Sequence, residues 1–163
     1  MSLTLREPTL MDTALCAMNL IPEDREQWVE FGSWSPCLDY DADKAATECW
    51  GYIGPKWAIC DETGMALAVA GCRMMRSGVY QSWFLSGQEL WTHGRKVTEI
   101  TRQVMLEMLD RGAHRIETLC LESRAQARAW YEQVGLHFEA VFPNYGISGA
   151  NAVQYAIYRN PEK

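Results

Sequence analysis

His93, Arg95 and Lys96 cluster around Gly94, immediately before a strongly amphipathic stretch, and are the residues best placed for chemistry. The first turn of a helix presents unpaired backbone N–H groups and partial positive charge. Cations there cost about 0.3–1 kcal/mol each when exposed. A bound phosphate reverses that sign, because amides and cationic side chains then converge on one anion. The plainer alternative is that Arg95 and Lys96 extend into water. Other chemistries find less support. The three histidines, His93, His114 and His137, stand far apart, with no H-x-x-x-H or Cys/His spacing for a metal. The six cysteines are Cys16, Cys37, Cys49, Cys60, Cys72 and Cys120, without a C-x-x-C pair. They are expected to be reduced and buried, and no Cys/His pairing suggests a thiol nucleophile.

The elements that must position these residues follow from periodicity and punctuation. Leu3 to Leu5 alternates as a short strand. Thr9 and Asp12 offer N-caps for a helix to Leu20. Pro22 opens a second helix, with Glu23 and Asp24 complementing its dipole and Gly32 ending it. Asp41 to Trp50 reads as a third helix, broken by Gly51 and Gly54-Pro55. Trp57–Cys60, Met65–Met75 and Val79–Leu85 read as three consecutive antiparallel strands joined by turns at Asp61–Gly64 and Ser77-Gly78. Val97, Ile100, Val104 and Met108 form the stripe of the strongest helix, which Gly112 ends. Arg115–Leu121 is a further strand. Ser123 and Gln126 have capping-box spacing for a helix carrying Ala127, Trp130, Tyr131 and Val134, with Gly135 at its C-terminal cap. Two last strands, near Leu136–Phe142 and Ala152–Tyr158, flank a turn-rich segment.

Composition bounds the function classes. The chain has 163 residues, 48% hydrophobic and 22% charged, which suits one domain spanning 1–163 with a buried core. A net charge of −6 argues against a nucleic-acid partner, whose phosphates need a basic face. No run reaches the ~20 apolar residues of a membrane span, and the first residues lack the apolar stretch of a secretory signal. The expected location is the cytoplasm, with no membrane partner.

The order of elements, together with ARAWYEQVGLHFEA, resembles the GCN5-related N-acetyltransferase (GNAT) superfamily. Ala127, Tyr131 and Gly135 stand in register with that superfamily's A-x-x-x-Y-x-x-x-G-F stretch, with Leu136 in place of the usual Phe. NYGISGANAVQYAIYR is similar to its final hairpin. VYQSWFLSGQELWTHGRKV resembles its fourth strand and following loop, especially in divergent acetyltransferase-like proteins encoded by bacteriophages, some of them virion components. One departure falls on the phosphate loop. Where the superfamily has Q/R-x-x-G-x-G/A, this chain reads W-T-H-G-R-K, and Lys96 takes the place of a small residue.

The resemblance implies an α/β (α+β) GNAT-like acyl-CoA N-acyltransferase fold, with a mixed, mostly antiparallel sheet of about seven strands. It also implies transfer of acetyl from acetyl-CoA to a primary amine by direct attack in a ternary complex. Cofactor contacts would come from the backbone of Phe84, Leu85 and Ser86, from His93, Gly94, Arg95 and Lys96, and from Ala127. Tyr131 would protonate the leaving thiolate, and a phenol of ordinary pKa about 10 holds its proton at neutral pH. Glu117 and Glu122 are the candidates for general base, with Glu89 as another option. Trp28, Trp34, Tyr40 and Trp50, with Asp39, Asp41 and Asp43, could form an acidic, aromatic rim for a cationic amine on a small molecule or a protein. Exposed aromatics or the last hairpin could pair two copies as a homodimer. The alternative is a catalytically inactive relative acting as a binding or virion-associated module, since fold does not establish activity. In a phage setting the location would be the host cytoplasm or the virion.

Overall fold

The computed structural model describes residues 2–32 and 39–159. Trp34 and Cys37 lie outside them. The elements run β1 (Thr4–Arg6), α1 (Leu10–Met18), α2 (Pro22–Phe31), α3 (Ala42–Gly51), β2 (Lys56–Cys60), β3 (Ala66–Arg76), β4 (Val79–Ser86), a 3-10 turn (Gln88–His93), α4 (Gly94–Asp110), β5 (Arg115–Leu121), α5 (Ala125–Val134), β6 (His137–Phe142) and β7 (Ala152–Tyr158). Most helix boundaries follow their expected signals. Thr9 and Asp12 form a reciprocal capping box on α1, Pro22 sits in the first turn of α2, and Asp41 caps α3 by accepting from the Lys44 N–H. Gly135 ends α5 at φ 108°, a conformation that a residue with a Cβ adopts only under strain.

One boundary differs. The Ser123–Gln126 capping box does not form. Arg124 is the N-cap of α5 without a side-chain cap bond. The reason lies outside the helix: the Arg124 guanidinium is drawn to Asp24 on α2 at 2.5 Å, and the Arg124 N–H turns back to the Leu121 carbonyl.

The seven strands form one sheet in the order β1-β2-β3-β4-β5-β7-β6. Every neighbouring pair is antiparallel except β4 and β5, which are parallel and joined through α4. One face of the sheet carries α1 and α3, whose Cys16, Ala17, Ala45, Ala46 and Cys49 pack, with Leu20 just after α1, on Ala58, Cys60, Val69 and Leu85. The opposite face carries α4 and α5. There Met105, Leu109 and Val134 pack on Cys72, Ile116, Cys120, Val153 and Tyr155, and Val97 packs with Leu90 and Ile59. Fully buried side chains such as Leu20, Leu85, Ile116 and Val153 each contribute about 1.5–3 kcal/mol relative to exposure. The five described cysteines are all buried. Among the described residues no helix is long and apolar enough to cross a membrane.

Candidate functional site: a cleft through the sheet

The site begins where the parallel ladder stops. β4 and β5 pair only from Val79 to Gln81 against Arg115 to Glu117. Both strands continue, β4 to Ser86 and β5 to Leu121, without pairing again. The two strands therefore diverge beyond Gln81 and Glu117, leaving a wedge with unpaired backbone on both lips.

Which groups face the wedge follows from strand alternation. The Cys72 N–H bonds to the Pro55 carbonyl, so Cys72 turns its backbone toward β2, and Gly71 and Arg73 turn theirs toward β4. Their partners Trp83 and Gln81 are then bonded to β3, as is Leu85 opposite Val69. Ser82, Phe84 and Ser86 present backbone N–H and C=O groups to the wedge. On β5 the Glu122 N–H bonds to Asn151 and the Arg159 N–H to the His114 carbonyl, so even-numbered residues face β7 and Leu119 and Leu121 face the wedge. Of the three β4 residues expected to offer backbone contacts, Phe84 and Ser86 turn their backbone groups toward the wedge and Leu85 turns its groups toward β3.

A cleft of about 670 Å³ runs through this opening and is lined from both faces of the sheet. On the α4/α5 face its walls include Phe84, Trp91, Ile100, Ala127, Trp130 and Tyr131. On the α1/α3 face they include Asp24, Gln27 and Trp28 of α2, with Glu48, Tyr52, Arg73 and Trp83. The expected Phe84, Ala127 and Tyr131 thus meet in one cleft. Tyr131 packs beside Trp130 and Tyr155 at ring distances of 5.8 and 5.6 Å. Burial pushes its phenol well above the ordinary tyrosine value, with a hydrogen bond involving Thr118 acting the other way. The Tyr131 phenol therefore keeps its proton throughout the neutral range.

The residues expected to hold phosphate stand outside the cleft wall. None of His93, Gly94, Arg95 and Lys96 lines the cleft. Arg95 and Lys96 both pair with Glu99, at 3.2 and 3.7 Å, and their side chains are 94% and 54% exposed. Two indoles of the cleft wall link to this helix start. Trp130 donates from Nε1 to Thr98 Oγ1 at 3.0 Å, Thr98 Oγ1 donates to the Gly94 carbonyl at 2.8 Å, and Trp91 meets Trp130 edge-on at 5.2 Å. α4 nevertheless begins without a side-chain cap and with no acidic residue in its first turn, so its N–H groups keep their pull on an anion.

The carboxylates foreseen as bases are engaged in structure. Glu117 accepts from Arg115 Nε at 2.7 Å and from Gln154 Nε2 at 3.0 Å. Glu122 accepts from Asn151 Nδ2 at 2.9 Å. Neither lines the cleft, and Glu89 is an exposed residue of the 3-10 turn. The acidic, aromatic rim does not assemble among the described residues. Of its described members only Trp28 lines the cleft, while Tyr40 donates to the Ala17 carbonyl at 2.8 Å and Trp50 is exposed.

Two described carboxylates line the cleft, Glu48 of α3 and Asp24 of α2, and Asp24 is the one that pairs with an arginine. Burial pushes its carboxyl above the ordinary range, against the pull of the Arg124 guanidinium. Gln27, one turn further along α2, accepts from Arg124 Nη1 and from the Leu121 N–H, both at 3.1 Å. In the sequence Asp24 reads only as a helix-dipole residue, and Arg124 as an unremarkable position between strand and helix. Their pairing spans about a hundred residues and leaves no local signal. Among the described residues three buried side-chain polar atoms have no hydrogen-bond partner: Trp83 Nε1, Ser86 Oγ and Trp91 Nε1. Trp83 and Trp91 both line the cleft.

No sequence-family profile matches the chain, and no curated protein matches it at the sequence level. Solved structures do match. The ribosomal-protein-S18-alanine N-acetyltransferase of Escherichia coli superposes with a TM-score of 0.70 at 16% identity, over 96% of this chain and 94% of that one. A GNAT-superfamily phosphinothricin acetyltransferase from Sinorhizobium meliloti, solved with AcCoA, gives 0.68 at 14% identity over 97% and 89%. A mutant spermidine N-acetyltransferase from Vibrio cholerae gives 0.69 at 14% identity over 95% and 94%. The chain has the GNAT acetyltransferase fold.

Proposed function

We propose that the protein transfers an acetyl group from acetyl-CoA to a primary amine, both bound at once in the cleft between β4 and β5. The observation that carries this reading is the unpaired stretch beyond Gln81 and Glu117, with Tyr131 in the wall of the opening it leaves. The residues fit the cofactor. An extended amide-bearing arm can bond to the free backbone groups of Ser82, Phe84 and Ser86 as an added strand would. The orphaned donor Trp91 Nε1, in the cleft wall, awaits an acceptor there. Ala127 leaves room against the arm on α5. The helix start at Gly94 to Lys96 is the place for phosphate groups, with Arg95 and Lys96 exchanging Glu99 for the stronger anion.

When bound, acetyl-CoA supplies the activated acetyl thioester. The chain's own residues do the rest. Tyr131 Oη holds a proton on the α5 side of the opening, where a departing thiolate needs it. The Asp24 carboxylate stands on the α2 side and is the group positioned to take a proton from the amine. Backbone N–H groups of β4 orient a carbonyl oxygen, and the surrounding tryptophans exclude water. Calorimetric titration with acetyl-CoA tests the reading: a 1:1 heat is expected, and its absence at millimolar acetyl-CoA rejects it.

A second reading is favoured by the first turn of α4, since none of His93 to Lys96 lines the cleft. A protein that keeps the cleft but closes the route to the helix start would be a non-catalytic binding module. It would bind without thiol release, and an assay for free CoA decides between the two.

A further inference from the structure

On the α1/α3 face of the cleft, Arg73, Tyr52 and Trp83 form a cluster of hydrogen-bond donors that the transferase reading leaves unused. Arg73 and Trp83 lie on adjacent strands, with Arg73 opposite Gln81 at the last paired position of the wedge and Trp83 two residues along its lip. The Arg73 guanidinium lies over the Tyr52 ring at 4.8 Å and donates one N–H to Gln81 Oε1 at 2.7 Å. Tyr52 in turn meets Trp83 edge-on at 6.2 Å. Among the described residues Arg73 forms no ion pair, although Glu48 lines the same wall. The Trp83 indole N–H is buried with no acceptor among the described residues, and an indole can only donate. A side chain on Gly71 would fall 2.5 Å from the Trp83 ring, so glycine there lets the indole lie against β3.

We infer that this cluster binds a carboxylate carried by the amine acceptor, so that the substrate class is amino acids rather than simple amines or polyamines. The inference rests on the proposed transferase reading and deepens it. Two independent features point to an oxyanion: a planar cationic fork with donors to spare, and a buried N–H that loses its hydration without compensation until an acceptor arrives. Bidentate capture by Arg73, with Trp83 Nε1 as a third donor, would anchor the acceptor beside the apex of the wedge. The amine would then project toward Asp24 and the opening.

The test compares the twenty common L-amino acids with their carboxamides as acceptors, at saturating acetyl-CoA, by release of free CoA. The best amino acid is expected to exceed its own carboxamide by about tenfold or more in kcat/KM, because a site built to bond a group rejects the analogue lacking it. Arg73→Gln should bring that ratio close to one through KM. Trp83→Phe, which keeps a ring over Gly71, should lower the ratio several-fold. Glu48→Gln should raise it. Carboxamides used as well as the acids by the native protein, or a preference that survives Arg73→Gln, overturns the inference. If acetyl-CoA binds and carboxamides win, only the acceptor class is wrong. If acetyl-CoA does not bind, the transferase reading fails and takes this inference with it.

Discussion

The side-chain oxygen of Gln27 accepts the backbone N–H of Leu121 at 3.1 Å, across 94 residues of sequence. Leu121 is the last residue of β5, and its N–H points into the gap that β4 has vacated. Gln27 thus occupies one backbone site of the wedge as a neighbouring strand would. α2 has no fully buried residue; Trp28 and Val29 pack at the margin of the core, and polar clamps add to their hold. Asp24 pairs with Arg124, the Glu30 carbonyl accepts from Ile147, and Glu30 Oε2 accepts from the Ser148 N–H. The helix that carries Asp24 is therefore fastened to the end of β5 and to the β6–β7 loop by charge and hydrogen bonds.

The Asp24–Arg124 pair follows from this as a stability determinant. Both side chains are 16% exposed. Removing one partner leaves a poorly solvated charge, which costs about 3–5 kcal/mol for a buried pair. Arg124→Met should lower the urea unfolding free energy by an amount in or just below that range. The double variant Arg124→Met/Asp24→Leu should recover most of the loss. A single variant as stable as the native protein would mean that the pair does not hold α2.

Tyr131→Phe probes the acid role. Removing a positioned proton donor costs about 10²-fold or more in rate, while the ring packing against Trp130 and Tyr155 is retained. Turnover should fall by that factor with acetyl-CoA affinity and melting temperature nearly unchanged. Full turnover in the variant would make Tyr131 a packing residue.

The pH dependence separates the two proton carriers. Burial raises the Asp24 carboxyl, so its basic form accumulates only as pH climbs past the ordinary carboxylate range. The acidic limb of kcat/KM should therefore lie above that range and disappear in Asp24→Asn. Tyr131 is shifted upward too, so its deprotonation should put no alkaline limb below pH about 10, the ordinary phenol value. An acidic limb that persists in Asp24→Asn belongs to the amine itself.

Much of the scaffold is legible in the sequence because local rules govern it. Val97, Ile100, Val104 and Met108 mark α4 by their spacing, and Gly135 marks the end of α5 by its left-handed backbone. The wedge is not legible in that way. β4 and β5 are brought together through α4, and whether two strands stay paired beyond Gln81 and Glu117 depends on packing from both faces. The same holds for the site's charges. Glu117 looks available until Arg115 and Gln154 are seen to hold it, and Asp24 looks like a dipole residue until Arg124 is placed beside it. Ser123 and Gln126 have the right spacing for a cap, but the chain turns at Arg124 to satisfy that long-range pair.

At the far edge of the sheet, Asp12 gives a stability prediction with a definite sign. It accepts from both guanidinium nitrogens of Arg6 at 2.7 and 2.9 Å and from the Thr9 N–H at 2.8 Å. The Arg6 bonds, followed by those from Thr9, hold its carboxyl well below the ordinary aspartate range. A lowered folded-state pKa stabilises the protein above the unfolded value near 3.9 and is lost as pH falls toward the folded value. Asp12→Asn removes the charged partner of Arg6 and weakens the capping box, at a cost of about 1–2 kcal/mol at pH 7. Chemical unfolding should therefore show a gap of that size between native and variant at pH 7, narrowing steadily below pH about 4. A gap that stays constant into acid would place the effect in packing or amide geometry, with the Asp12 charge contributing nothing.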